Sequence, residues 1–471
     1  MGFLPNRSRR QPITLVVLFL GCAVVLMVSY LIAAGFFNYS LLVGGLMVAT
    51  ILTMVFIGRT GILTGFTIWI LLFSLGIRQV HLTTHLALHP LMILIVIMFF
   101  LVIVYQKSRN QGSIPWPFSP MFSVFSLFWL WGWVTGLMWG RAWDIMLSEF
   151  LNFLVIFPIF VVTAYVLKEE RAWKHVVLAF FIAGVIIAFL GATESRLSFM
   201  QSLLPGFLND KSFTTTLTPE GFLRPAFAFF DTTIATIICA LSVPMILPLW
   251  NWYRLAPARI LLLLGLIIQL YGIYISGTRA AWLMVFVAFG LTLFLRLSRR
   301  NAVATIFVLL VLALSYRFIP DTAIRRSTSV IDTLQGKTRE SSVLERQRRY
   351  QYAMQLAIDN PLGVGWGGAG WVGSDFIQVT ANLGVVAGLL FLGWYISSLW
   401  HIWQFCRTFP DDPLVFGLFL CFVGAGINLA IDGVEVITAF AVPVWFVCAM
   451  VEIRSRQLKS GNSYITGVEH G

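Results

Sequence analysis

Apolar runs of about twenty residues follow one another along almost the whole chain, separated by short polar turns. Each run is long enough to cross a bilayer core as an α-helix, which satisfies its own backbone groups where no water can. The runs begin near Ile13, Ser40, Gly61, Leu88, Ser119, Ile145, His175, Ala226, Arg259, Ala280, Ala302, Gly373, Leu414 and Thr438. This pattern predicts an all-α polytopic membrane protein of about fourteen transmembrane helices. Residues 1–471 are expected to form a single integral membrane domain. Two long polar stretches break the rhythm, residues 194–225 and 320–371.

A helix is legible inside the second stretch. Ser342 with Glu345 three residues on reads as a capping box, and Asn360-Pro361 is a stop. Between them Val343, Gln347, Tyr350, Met354 and Ala357 form one mostly apolar stripe. Arg346 and Arg349, one turn apart, share a neighbouring face. The spacing predicts an amphipathic helix that lies on the membrane surface or caps the bundle. The stretch closes on a glycine-rich run, residues 363–373.

Charge adds an orientation. With a cytoplasmic N-terminus, the inner loops and tail collect most of the lysine and arginine, including Lys168, Arg171, Arg254, Arg300, Arg454 and Lys459. The short outer loops hold only Arg78, Arg141 and Arg279. Both termini are therefore expected in the cytoplasm, and residues 320–371 in an outer loop. Long translocated segments escape the charge rule, so Arg325, Arg326, Arg339, Arg346, Arg348 and Arg349 are tolerated there.

Composition agrees with this picture. The chain is 59% apolar and 11% charged, with a mean hydropathy of +0.87, outside the range of soluble domains. The net charge of +12 follows from the cytoplasmic loops, and no nucleic-acid partner is expected. The five cysteines lie in or beside apolar runs without a CxxC spacing, which implies neither a disulfide frame nor a metal site. Arg7, Arg9 and Arg10 precede an apolar run too long for a signal-peptide core, so an uncleaved first span is expected.

A basic segment facing outward against a bilayer points to an anionic substrate, such as a lipid-linked phosphate or pyrophosphate. Arg279 sits in the tight turn Ser276-Gly277-Thr278-Arg279-Ala280-Ala281-Trp282, where it either faces a cavity or snorkels to the headgroups. Arg224 enters a span about two turns before Asp231, as a functional or a structural ion pair. Arg346, Arg348 and Arg349 either bind an anion or form a solvated face. The Asp375 carboxylate, after Ser374, either accepts a proton from a hydroxyl group or caps a helix. Asp432 and Glu435 are further carboxylates at the same depth.

His81, His85 and His89 would stack on one helix face, but Pro90 follows at once and neither a cysteine nor a carboxylate adjoins them. No metal site is expected there. The chain has no Walker loop, no GxGxxG and no GxSxG, so a nucleotide-driven pump has no support. No cofactor is expected.

The residues now align with a known pattern. Ser276-Gly277-Thr278-Arg279-Ala280-Ala281-Trp282 resembles a turn of the O-antigen ligase/polymerase superfamily. The run from Glu345-Arg346-Gln347-Arg348-Arg349 to Asn360-Pro361-Leu362-Gly363-Val364-Gly365-Trp366-Gly367 is similar to that family's outer loop. Ser374-Asp375-Phe376 through Gly388 resembles the segment that follows it. The resemblance extends over about residues 223–392.

It implies a polytopic glycosyltransferase at the outer face of a bacterial inner membrane, which makes residues 320–371 a periplasmic loop. The implied donor is an undecaprenyl-pyrophosphate-linked oligosaccharide, and the implied partners are membrane lipid, a flippase and a chain-length regulator. Ligases of the family carry a histidine just before the span that follows the loop. Here that place reads Gly373-Ser374-Asp375, and residues 320–371 contain no histidine. This departure favours the polymerase branch over the ligase, and by matching position gives Asp375 the general-base role, with Glu435 next. Arg224, Arg279, Arg346 and Arg349 would neutralise the pyrophosphate leaving group without a metal, giving transfer with inversion. A transporter of anions or solutes, suggested by buried charges in the outer half of the bundle, is the rival from another class, but no repeat is visible and those candidate buried charges lie on the outer side alone.

Overall fold

In the computed structural model the described residues are 59–72, 80–81, 87–88, 90–108, 118–196, 232–295, 341–370, 372–431 and 438–459. In chain order they form α1 (Arg59–Leu71), β1 (Val80–His81), β2 (Ala87–Leu88), α2 (Pro90–Ser108), α3 (Pro120–Met138), α4 (Trp143–Leu154), α5 (Ile156–Val166) and α6 (Glu170–Arg196). After these come α7 (Thr232–Ser242), α8 (Ile246–Trp252), α9 (Ala256–Ser276), α10 (Arg279–Leu295), α11 (Ser341–Asp359), α12 (Asp375–Leu383), α13 (Val385–Thr408), α14 (Pro413–Ile431) and α15 (Thr438–Lys459). The expected spans near Ile13, Ser40 and Ala302 lie outside the described residues.

Among the described residues, seven helical stretches are long and apolar enough to cross a membrane. They are Pro120–Met138, Trp143–Val166, Glu170–Ala192, Ala235–Trp252, Ala256–Ser276, Val385–Thr408 and Pro413–Ile431. Their two faces differ in kind. On α3, Val124, Leu127, Leu130, Val134 and Leu137 are exposed, an apolar stripe suited to lipid. The opposite face sends Phe122 and Phe125 against Trp394 and Phe391 of α13, and Trp129 against Phe153 of α4. The core is thus an aromatic seam with small residues as close-contact points, such as Gly272 of α9 against Ala188 of α6.

Two expectations are corrected here. Backbone around His81 is extended and pairs antiparallel with residues 87–88, His81 opposite Ala87. A helical stack of His81, His85 and His89 therefore does not form, and His85 and His89 lie outside the described residues. The span expected from Gly373 is two helices. Gly384 breaks it with φ +97, and a Cβ there would crowd the Pro361 and Leu362 backbone. The short α12 is inserted among α3, α11, α13 and α14, and the long apolar helix begins only at Val385.

The bundle has two recognisable ends. At one, Arg454 of α15 is buried, paired to Asp412 at 3.0 Å and to Glu170 at 3.5 Å, with its guanidinium over the Trp173 ring. Asp412 starts α14, so Ile431 marks the opposite end, about 28 Å away for a helix of this length. Helix α6 leaves the Arg454 end at Glu170, and α9 runs beside it in the same direction. Gln269 Nε2 donates to Phe181 O at 2.8 Å, and Gly272 meets Ala188 further along. The α9–α10 turn with Arg279 therefore stands at the Ile431 end.

Candidate functional site

The site is built on α11, a helix too polar to cross a membrane. Its inward face carries Arg346, Arg349, Tyr350, Ala353, Leu356 and Ala357, with Ala353 and Ala357 buried against Ala369, Val372 and Ala381. The expected stripe is off register. Met354 is 48% exposed, and the arginines lie on the packed face rather than beside it. Two alanines set this register, since small side chains let α11 approach α12 closely. The helix runs Ser341–Asp359 and ends at Asn360-Pro361 as expected, although Ser342 lies inside it.

Tyr350 fastens this helix. Its hydroxyl donates toward the Gly373 carbonyl at 3.0 Å and the Ile431 carbonyl at 3.1 Å. Arg346 Nη1 donates to the same Ile431 carbonyl at 3.4 Å. Arg349 makes an ion pair with Glu345 one turn earlier. Three elements thus meet at one point: the middle of α11, the last residue of α14 and the entrance to α12.

Asp375 is the first residue of α12 and is fully buried. Ser374 is the N-cap, in extended conformation, so Asp375 is not the cap residue. It stands two residues after Gly373. Backbone N–H groups of a first helical turn favour a carboxylate there.

The glycine-rich run is a fixed structure. Val364 N and Gly365 N donate to Ala381 O and Asn382 O at 3.1 and 2.8 Å, and Trp366 N donates to Gly132 O at 3.2 Å. Trp366 Nε1 reaches Trp129 O at 2.8 Å, and Trp131 Nε1 reaches Leu362 O at 2.8 Å. Gly365, at φ +83, lies so close to Gly136 that a Cβ would overlap its backbone. Beneath this run is a buried carboxylate that the sequence reading passed over. Glu149 Oε2 accepts from Gly367 N at 2.7 Å and from Asn382 Nδ2 at 2.9 Å. A lone carboxylate inside an apolar run was the signal available for it.

Arg279 is half-buried and begins α10. The preceding turn is shaped by Gly277, left-handed at φ +62, and by the Ser276 hydroxyl, which donates to Ile273 O at 2.7 Å and accepts from Thr278 N at 3.0 Å. This is why Ser276-Gly277 precedes the arginine. Arg224, Asp231, Asp432 and Glu435 lie outside the described residues. Of the expected site residues, Arg346 reaches the Tyr350 junction directly, Arg349 lies on the same helix face, and Asp375 follows two residues after Gly373, whose carbonyl accepts from Tyr350. Arg279 shares that end of the bundle through α10.

Seven long apolar helices with exposed apolar faces define an all-α membrane protein. Residues 262–392 match the family model described as O-Antigen ligase, a segment that includes Arg279, Arg346, Arg349 and Asp375. The match supports the O-antigen ligase/polymerase superfamily and does not distinguish the polymerase branch. Among curated proteins none matches the chain.

Proposed function

We propose that the chain is a polymerase-type glycosyltransferase at the periplasmic face of a bacterial inner membrane. It transfers an undecaprenyl-pyrophosphate-linked glycan to a sugar hydroxyl of another lipid-linked repeat unit. The observation that carries this reading is the convergence of Arg346 and the Asp375 segment on one junction within the family-matched region. The acceptor oxygen attacks the anomeric carbon and its proton passes to the Asp375 carboxylate, with Glu435 as the other candidate base. The bond from that carbon to the pyrophosphate oxygen breaks, and the electron pair leaves with the lipid pyrophosphate. Arg279, Arg346, Arg349 and Arg224 neutralise the charge that develops there, so no divalent metal is required. Attack opposite the leaving group inverts the anomeric configuration.

The second reading, a ligase that hands the glycan to a lipid A-core or another acceptor, is favoured by the description of the matching family model. The two differ in their products. Purified full-length protein given only lipid-linked repeat units and EDTA should form a ladder of longer lipid-linked glycans. Transfer solely to an added lipid A-core acceptor reverses the order of the readings, and strict dependence on a divalent metal overturns the proposed mechanism. In cells, Arg279→Ala at normal protein level should abolish long-chain polymer, and Asp375→Asn should do the same. Normal chain length in either variant removes that residue from its role.

A further inference from the structure

Two buried amides at the Ile431 end carry polar atoms without a partner among the described residues. Asn428, one turn before the end of α14, is fully buried, and neither Nδ2 nor Oδ1 has a hydrogen-bond partner among the described residues. Gln378, one turn into α12, accepts Val372 N at its Oε1 at 3.2 Å, while its Nε2 is likewise without a partner. Both lie one helical turn below the same junction. A Cβ on Gly373 would sit 4.0 Å from Ile431 O, and the Tyr350 hydroxyl spans the two carbonyls. Arg279 stands at this depth too, because α10 packs antiparallel on α14 with Met284 level with Gly424. From that contact Arg279 is five residues along its helix and Asn428 four, both about 7 Å.

Leaving a buried amide unpaired lowers stability, whereas a leucine of similar size would not. The charges and the amides also divide the chemistry. Guanidinium groups suit a pyrophosphate. A neutral carboxamide, with two N–H donors and one acceptor oxygen, suits neutral hydroxyl or acetamido groups instead. We propose that Asn428, together with Gln378 Nε2, forms a neutral subsite that hydrogen-bonds the sugar adjoining the pyrophosphate of the lipid-linked donor. This rests on the glycan-transfer reading and adds to it the residues that recognise the sugar.

The test uses detergent-purified full-length protein and two probes. One is the lipid-linked glycan extracted from cells lacking the chain, where it should accumulate, and the other is undecaprenyl pyrophosphate. Wild-type protein should bind the glycosylated lipid more tightly than the bare pyrophosphate. Asn428→Leu should bind the glycosylated lipid about tenfold more weakly, bind the bare lipid as before, and melt at a higher temperature without ligand. Unchanged affinity for the glycosylated lipid in this variant, or equal binding of both probes by wild type, overturns the subsite. Failure of wild type to bind either probe, or of cells lacking the chain to accumulate a lipid-linked glycan, overturns the functional reading and the subsite with it. Should Asn428→Leu not accumulate in the membrane, Asn428→Ala carries the same comparison.

Discussion

Asn382 binds Glu149 across 233 residues of the chain: its Nδ2 donates to Glu149 Oε2 at 2.9 Å, while its Oδ1 accepts Ala369 N at 2.9 Å. One amide thus joins α4, α12 and the glycine-rich run. Removing the carboxylate leaves two donors, the half-buried Gly367 N and the buried Asn382 Nδ2, without that acceptor. Glu149→Ala should destabilise the protein by about 2–4 kcal/mol. Glu149→Gln, which keeps one acceptor oxygen, should cost roughly half as much. Thermal unfolding in detergent orders the three proteins, and a Gln variant as weak as the Ala variant would disprove the acceptor role.

The glycines of the run are unequal, and a pair of substitutions separates them. Gly365→Ala meets both a left-handed backbone and the Gly136 backbone of α3, and the close contact cannot open without losing the bond from Trp366 N to Gly132 O. This variant should not accumulate in the membrane. Gly370 has φ +64 but open space around its Cβ position, so Gly370→Ala should cost only about 1 kcal/mol. Membrane protein levels read by immunoblot decide the comparison.

Tyr350→Phe keeps the ring and removes the hydroxyl that fastens α11 to Gly373 and Ile431. A loss of about 1 kcal/mol is expected, with faster amide hydrogen exchange confined to α11 and the entrance of α12. The Arg349–Glu345 pair is partly exposed and lies on one helix, so Arg349→Ala should change stability by about 0.5 kcal/mol or less. Equal protection of α11 in wild type and Tyr350→Phe would remove the tyrosine from its fastening role.

At the far end, Arg454 is an almost fully buried cation held by Asp412 and Glu170. Arg454→Met removes the charge shared by Glu170 at the start of α6 and Asp412 at the start of α14. Expected is a loss of about 3 kcal/mol with the rate per folded molecule unchanged, since about 28 Å of α14 separates it from the Tyr350 junction. A changed rate at equal folded protein would mean that the two ends communicate.

The sequence was most legible where the bilayer dictates it. Apolar runs near Ser119, Ile145, His175, Arg259 and Leu414 coincide with α3 to α6, α9 and α14, because helix length and apolarity are forced by the same solvent. Register was harder. In a soluble domain Met354 would mark a buried face, but beside lipid an apolar side chain gains little by turning inward. Small size is the better guide, and Ala353 and Ala357 are the packed positions. The break at Gly384 was invisible to hydropathy, since apolar residues lie on both sides and only backbone crowding reveals it.

At the site, Arg346 and Asp375 were legible as chemistry because arginine and aspartate are costly near a membrane. The Tyr350 bond that ties the Arg346 helix to the entrance of the Asp375 helix was not, because it depends on backbone carbonyls that any residue could supply. Glu149 and Asn382 are separated by more than two hundred residues, and nothing in their local patterns ties one to the other.

The glycine-rich run is bonded at each end and in its middle, to Asn382, Gly132 and Glu149. It therefore behaves as a ruler rather than a tether. Its length measures the distance from the end of α11 to the start of α12, residue for residue. Surface loops commonly absorb an inserted residue, but one added between Gly363 and Gly373 would slide Asp375 out of step with Tyr350 while every helix stayed intact.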